Sequence, residues 1–510
     1  MNIIAYDLGT GGVKASLYDN KLQTLAKVFL EYNTFYPTAS MHEQRPLDWW
    51  NAICESTKKL LDKTKTNPHN IECVSLSGAS LVAIPMDKDN NPLLEQVPIW
   101  SDTRAEAESE EFFSIIDRNE WYMTTGNGFP APCYSIFKLM WLKKHMPDVF
   151  EKTAYVLGSK DYINFMLTGN LATDFSYASG TGAYELKTGS MKREFLRAAG
   201  LSEDIFLEPV VSHKIIGSVT EQAAQKTGLC VGTKVVCGGV DNACMALGAV
   251  GPESGKAYVS LGSSSWIPVN SQDPVLDVKK KPYVFAHIQE GMFTSAFSIF
   301  AGGSSLRWAR DTLFADVTDD NIYITMDKMA DKVPIGSNGI LFNPSLAGGT
   351  SQDKSIHIRG AYVGLHLGTT RDDMVRATME GIALNLRMSL QYLKEKVELS
   401  DSILFCGGGS KSPFWMQMFA DVFNMPIAKS NIDQDAASLG AAAIAARGIG
   451  IWKDYSPLKE LQCVNKLYLP CEASANKYDK LFTVFTHINE IAAELGDYMQ
   501  AAMRKVDKNG

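Results

Sequence analysis

Three short stretches of this chain combine residue types suited to a nucleotide and a hydroxyl group. The first, Asp7-Leu8-Gly9-Thr10-Gly11-Gly12-Val13-Lys14, sets a Gly-rich turn between an aspartate and a lysine. Glycines let backbone N–H groups come close to phosphate oxygens, and an aspartate ending a strand can hold a hydrated Mg²⁺. The stretch is neither a Walker A sequence nor a GxGxxG turn, and a hairpin without a ligand is the competing reading. The second, Gly238-Gly239-Val240-Asp241-Asn242-Ala243, places an acid just after the apolar run Lys234–Cys237. A carboxylate there can take the proton of an attacking hydroxyl, which makes Asp241 a candidate base of ordinary basicity; the alternative is a helix N-cap. The third, Gly407-Gly408-Gly409-Ser410-Lys411-Ser412, leaves room for a flat base or an anion near exposed N–H groups, or is a tight turn into a helix.

These stretches need strands that end together. The pattern predicts a hairpin over Ile3–Tyr18, a helix over Pro46–Leu61, a strand over Glu72–Leu76 and a turn around Asp87–Pro92, a mixed α/β order. Later, Ala257–Leu261, the small-residue turn Gly262-Ser263-Ser264-Ser265 and Trp266–Val269 repeat the strand, turn, strand plan of the opening, so the two halves read as structural cousins. A strand over Ile403–Cys406, a helix over Ser412–Phe423, a close-packed Ala-rich helix over Ala436–Ala446 and a long amphipathic helix over Tyr478–Met503 follow.

With 510 residues the chain exceeds what one core serves, since cores stop growing near about 250–300 residues. A formal net charge of −8 argues against a broad nucleic-acid or anionic-membrane footprint. The nine cysteines form no CxxC pair and read as reduced thiols, the histidines show no zinc-ligand spacing, and no run approaches a membrane span. A cytoplasmic protein is expected. Trp49-Trp50 read as packing with one ring buried and one half-exposed, His357 and His366 as bystanders, Lys279–Lys281 as a solvated loop, and Met416, Met418 and Met425 as core.

Taken with two further segments, the three stretches resemble the FGGY carbohydrate kinases. Ser135–His145, SIFKLMWLKKH, is similar to the first signature of that family, with Lys138 and Trp141 in place and Cys133 off pattern. Residues 360–380, GAYVGLHLGTTRDDMVRATME, resemble the second signature, including Gly364, Asp373, Ala377 and Glu380. The likeness implies two ribonuclease H-like, actin-like lobes with the active site in the cleft between them. It divides the chain into a sugar-binding domain over 1–250, a nucleotide-binding domain over 251–450 and a helical extension over 451–510. It also implies ATP and Mg²⁺, a small-molecule sugar substrate, neither nucleic acid nor membrane as partner, and dimers as a common state.

By the same likeness Asp7 helps position Mg-ATP, Gly9, Thr10, Gly11 and Gly12 form the first phosphate loop, and Lys14 completes it. Gly262 and Ser263 fall on the second phosphate loop. Gly303 and Arg307 approach the nucleotide, and Gly408 and Gly409 lie around the adenosine. Asp241 corresponds to the base and, with Asp7, to the metal site; Asn242 beside it corresponds to a substrate contact.

Within the family the chain is most similar to xylulose kinases, on Glu43-Gln44-x-Pro46, Pro98–Arg104 and Lys160-Asp161-Tyr162. Two segments depart. Gly78-Ala79-Ser80-Leu81-Val82 replaces Gly-Gln-Met-His-Gly, putting Ser80 and Leu81 where a sugar-binding Met-His pair is usual. Leu346–Ser351 lacks the usual Glu-Arg pair. A pocket that has lost polar groups favours a given hydroxyl less, so another ketose, a polyol, an aldonate or the autoinducer-2 precursor is the alternative substrate. A nucleotide-sensing binding protein of the actin-like group is the alternative class, against which the retained Asp241 argues.

Overall fold

The computed structural model describes residues 1–317, 319, 321–432 and 435–509; Gly510, the last residue of the expected extension, lies outside them. The opening hairpin forms as its alternation predicts. β1 (Asn2–Leu8) and β2 (Gly12–Tyr18) pair antiparallel from Ile3↔Tyr18 to Asp7↔Lys14, and β3 (Thr24–Glu31) continues the sheet. α1 (Pro46–Thr64) starts on a proline, whose missing N–H is one a helix cannot use there, and ends at Lys65 in the left-handed conformation. Both Trp49 and Trp50 are buried, at 2% and 5% exposure, so the expectation of one half-exposed ring is corrected. The helix is covered by β2 and β3 and also by the helices Ser159–Thr168 and Glu221–Thr227, which together enclose more than one face.

β4 (Ile71–Gly78) lies parallel to β1 on its other side. The chain then passes through α2 (Ser135–His145) and α3 (Ser159–Thr168). It returns with β5 (Ile215–Ser218), β6 (Lys234–Val236) and the short β7 (Gly239–Val240) before entering α4 (Asp241–Val250). The first sheet has the order β5-β6-β4-β1-β2-β3, with β7 also paired to β4.

The second half repeats this plan. β8 (Tyr258–Leu261), β9 (Ser265–Ser271), β10 (Tyr283–Ala286) and β11 (Phe293–Ile299) precede α5 (Gly302–Leu313) and α6 (Arg371–Lys396). Then come β12 (Ile403–Cys406), α7 (Pro413–Phe423), β13 (Ile427–Ser430), α8 (Ala436–Gly448), β14 (Val464–Tyr468) and α9 (Glu472–Asn509). The order is β10-β11-β9-β8-β12-β13-β14. Each sheet contains three antiparallel strands followed by two parallel ones, β3-β2-β1-β4-β6 and β11-β9-β8-β12-β13. That is the ribonuclease H-like arrangement, used twice, so the repeat glimpsed in the two strand-turn-strand segments is a repeat of topology.

The lobes meet through helices. α4 and α8 cross so closely that a Cβ on Gly248 would lie 1.9 Å from the Ala436 carbonyl oxygen, and one on Gly440 1.9 Å from that of Cys244. Around them a single apolar cluster joins Ile3, Ala5, Cys73 and Val236 of the first sheet to Tyr258, Leu404, Cys406 and Ala428 of the second. No disulfide joins any of the nine cysteines, five of which are buried. Among the described residues no helix is long and apolar enough to cross a membrane.

Candidate active site

β4 sets the centre of the site. Its Ser77 pairs with Asp7 at the end of β1 and with Gly239 of β7, so Asp7 and Asp241 reach one end of the first sheet together. Gly238 makes the second approach possible. Its φ is +74°, and a Cβ there would lie 2.0 Å from the Leu76 carbonyl oxygen. Asp241 then opens α4 as its first helical residue. It is not the N-cap, which is Val240, and its Oδ1 accepts the N–H of Asn242 at 2.8 Å.

The carboxylates are electrostatically unusual. Burial pushes the Asp241 carboxyl up to about 7, the Asn242 N–H opposes the shift, and the negative charge of Asp7 adds to it. A helix N-terminus ordinarily favours the ionised form, so desolvation wins over the dipole here. The Asp241 carboxylate is therefore more basic than the ordinary carboxylate expected from sequence, because the environment of the side chain was not legible there. Burial also raises Asp7, against Lys14 at 3.9 Å and a hydrogen bond from Ser77 Oγ at 3.2 Å.

The first loop is held from behind by residues the sequence reading did not assign to it. Gln44 Nε2 donates to the Thr10 carbonyl at 2.7 Å, Trp100 Nε1 to Thr10 Oγ1 at 2.9 Å, and the Tyr32 hydroxyl to the Gly9 carbonyl. Gln44 is fixed in turn by the Trp49 indole N–H at 3.0 Å. Gly12 is pressed against β3, where a Cβ would lie 2.4 Å from the Leu30 carbonyl oxygen, whereas the Cβ position of Gly11 meets nothing within 4 Å. Lys14 also pairs with Asp435, just before α8, at 3.7 Å. The only early sign of these supports was the Glu-Gln-x-Pro and Pro98–Arg104 motifs, which carry no mechanism by themselves.

In the second lobe the other two loops lie side by side, because β8 and β12 are parallel neighbours paired through Ser260↔Cys406. The first turn of α5 sits on the Gly262–Ser264 turn. Gly303 N–H donates to the Gly262 carbonyl at 2.8 Å, Ser304 N–H to that of Ser263 at 2.9 Å, and Arg307 Nη2 to Ser263 Oγ at 2.7 Å. Gly409 packs on Leu261, where a Cβ would lie 2.5 Å from Cδ2, while nothing lies within 4 Å of the Cβ position of Gly408. Gly9 to Lys14 and Asp241 thus belong to one lobe, and Gly262, Ser263, Gly303, Arg307, Gly408 and Gly409 to the other.

Asn242 follows Asp241 on α4 and is half-buried. Ser80 and Leu81 follow β4. Leu81 is buried with a φ of +61°, a left-handed conformation uncommon for a leucine, and its side chain belongs to an apolar cluster with Ala83 and Cys133. Buried Lys138 holds this turn, donating to the carbonyls of Leu81 at 2.8 Å and Ile99 at 2.6 Å. Burial lowers the Lys138 ammonium to about 8. Lys138, Arg104, Glu43 and Trp141 line a separate cavity of about 300 Å³ in the first lobe.

Sequence comparison matches residues 2–248 to the N-terminal domain, and residues 257–449 to the C-terminal domain, of the FGGY family of carbohydrate kinases. The chain belongs to this family. It is therefore a sugar kinase, and ATP is the phosphoryl donor that the family implies. It is 30% identical over 505 residues to the xylulose kinase of Bacillus subtilis (strain 168), covering 97% of this chain and 99% of that one. It is also 26% identical over 510 residues to the gluconokinase of the same organism, covering 98% of both. Among solved structures, the ligand-bound xylulose kinase from Lactobacillus acidophilus superposes with a TM-score of 0.90 at 28% identity, covering 98% of this chain and 99% of that one.

The donor chemistry fits a Mg²⁺ ion. Two carboxylates converge, each raised by burial and one of them by the other, and hard oxygen donors of this kind suit that cation. Among the described residues no group of three or more His, Cys, Asp or Glu could hold a metal. Mg²⁺ commonly uses one or two carboxylates together with substrate phosphates.

Proposed function

We propose that this kinase transfers the γ-phosphoryl group of ATP to a hydroxyl of a pentulose such as xylulose, with Asp241 as general base. The observation that carries this reading is the meeting of Asp7 and Asp241 at one end of the first sheet, both brought there by Ser77, where burial raises the Asp241 carboxyl to about 7. A base poised near working pH can accept a proton without being permanently protonated.

In this reading the Gly9–Gly12 turn and the Gly262–Ser263 turn offer backbone N–H groups to the phosphates from opposite lobes, with Lys14 and Arg307 as cationic partners. Gly303, Gly408 and Gly409 border the nucleoside. Asp7 and Asp241 would hold Mg²⁺, which when bound neutralises phosphate charge. Ser80, Leu81, Asp241 and Asn242 border the sugar. Leu81, whose side chain is buried, acts through the shape of its turn. The domains are those of the family, sugar-binding over 1–250 and nucleotide-binding over 251–450, with 451–510 as a helical extension. Cysteines without disulfides and the ATP requirement suit the cytoplasm.

A second substrate reading has its own support. Ser80-Leu81 stands where xylulose kinases carry Met-His, and the gluconokinase relative matches the full length, so an aldonate, another ketose or polyol, or the autoinducer-2 precursor is the alternative.

The test is coupled-enzyme ADP release from Mg-ATP over xylulose, other ketoses, polyols, gluconate and the autoinducer-2 precursor, with Asp241→Ala alongside. One substrate turning over at ~1–100 s⁻¹, and abolished by the substitution, is expected. Turnover that survives Asp241→Ala would sink the assignment of the base.

A further inference from the structure

Behind the strand that delivers Asp241 lies a buried charged cluster that the proposed reaction leaves without a role. Lys160, at the start of α3, is fully buried and pairs with Asp161 at 2.6 Å and Asp174 at 3.0 Å. Asp174 is fully buried as well. Its Oδ2 accepts the hydroxyls of Ser176 at 2.5 Å and Ser212 at 2.7 Å, and the Ser176 N–H at 3.0 Å.

The Ser176 hydroxyl is thereby oriented. With its proton given to Asp174, its lone pairs face the other way, and Oγ accepts the backbone N–H of Val240 at 2.9 Å. Val240 is the residue immediately before Asp241 and the N-cap of α4, where no side chain of its own caps the helix. The segment is pinned at two neighbouring points: Asn164 Nδ2 donates to the Cys237 carbonyl at 2.8 Å, and Gly238 N–H to the Ser212 carbonyl at 3.0 Å. It has no slack on the near side, since a Cβ on Gly239 would lie 2.3 Å from Ile288 Cδ1 and 3.2 Å from Ser176 Oγ.

Charges this deep are unfavourable unless paired and hydrogen-bonded, and a well-packed apolar group would often fill the space as stably. What an apolar group could not provide is a directed acceptor for Val240. We propose that Ser176, oriented by Asp174 and Lys160, is a positioning residue that fixes the direction of the Asp241 carboxylate during phosphoryl transfer. Ser176 touches neither substrate; it acts through the backbone of Val240. The proposal rests on Asp241 being the base.

Ser176→Ala removes the acceptor and keeps the fold of the turn. A misdirected base loses rate on the order of 100-fold while both substrates bind as before. The experiment measures kcat and both KM values of Ser176→Ala on the substrate found by the ADP-release assay, with Asp241→Asn in parallel and hydrogen exchange at the Val240 amide. Expected are a kcat lowered about 10- to 100-fold, KM values within about twofold of the parent protein, and faster exchange at Val240. If Ser176→Ala does not fold, Ser176→Cys, close in size and a weaker acceptor, takes its place, with a smaller fall in the same direction. A kcat equal to the parent's while Asp241→Asn is inactive overturns the positioning role and leaves the base assignment intact. An active Asp241→Asn overturns both. Equal loss in kcat and rise in both KM values, with normal exchange at Val240, assigns Ser176 to general structure and overturns the proposal.

Discussion

Asp7 and Asp241 stand on either side of Ser77, one at the end of β1 and the other two residues beyond its partner Gly239. The closeness has an electrostatic price: the charge of Asp7 makes ionisation of Asp241 harder, on top of burial. A cation or a proton relieves the pair.

The rate should therefore follow the ionisation of Asp241. Its carboxyl is raised to about 7, so the active, deprotonated form predominates above that pH and is lost below it. In a profile of kcat/KM for ATP from pH 5 to 9, which reports ionisation in the free protein, we expect a tenfold fall per pH unit on the acid side of about 7. Asp241→Asn should lower kcat by about 10² to 10⁴ at every pH. A flat profile between pH 5.5 and 8 would contradict the assignment.

Stability should run the opposite way. A carboxyl whose folded-state value is raised stabilises the fold fully below its unfolded value and loses that contribution as pH climbs through about 7. Asp241→Asn removes the buried charge. It should be more stable than the parent by about 1–2 kcal/mol at pH 8, after allowance for partial solvent contact, and nearly equal at pH 4. Urea denaturation at the two pH values decides this, and a variant less stable at pH 8 would count against it.

The glycines of the loops should separate into two kinds. Gly11 and Gly408 have open Cβ positions, so alanine there meets no protein atom and should leave the melting temperature almost unchanged while raising KM for ATP about tenfold or more through contact with the nucleotide. Gly409→Ala drives a Cβ into Leu261 and should destabilise by about 1–3 kcal/mol. If Gly11→Ala and Gly408→Ala both keep the parent's KM for ATP, the nucleotide lies elsewhere.

Lys138 offers a test of what holds the Leu81 turn. Lys138→Met leaves the carbonyls of Leu81 and Ile99 without a donor and should destabilise by about 2–4 kcal/mol. A buried ammonium lowered to about 8 releases its proton more readily folded than unfolded. The parent should therefore gain stability between about pH 8 and 10, a gain that Lys138→Met lacks. Equal pH slopes for the two proteins in that window would refute the account.

Regular elements and backbone turns were the legible part. The Ile3–Tyr18 hairpin, the helix after the third glycine stretch and the Ala-rich helix follow from alternation, from Ser412 as N-cap of α7 and from small residues that allow close packing. The long terminal helix was underestimated at both ends, since Glu472–Lys477 and the polar last turns lack the apolar repeat that marks its middle. The second signature was read as a mark of kinship; its Asp373 closes a capping box with Thr370, and its Glu380 is buried against Arg376 at 2.8 Å. What stayed hidden depends on contacts between distant segments: Gln44 and Trp100 beneath Thr10, Asp435 beside Lys14, and the desolvation that raises Asp241. No local period or spacing records those meetings.

The helix crossing of Gly248 and Gly440 bears on how the gene could be divided. Because Ile3 and Val236 share one apolar cluster with Tyr258 and Ala428, a fragment ending at Val250 would carry α4 with its far side stripped, and the complementary fragment would present α8 to water in the same way. Neither half is a self-sufficient building block. Splitting or swapping the halves between relatives would succeed only where both faces of the crossing travel together, so inheritance should keep the two halves as one unit.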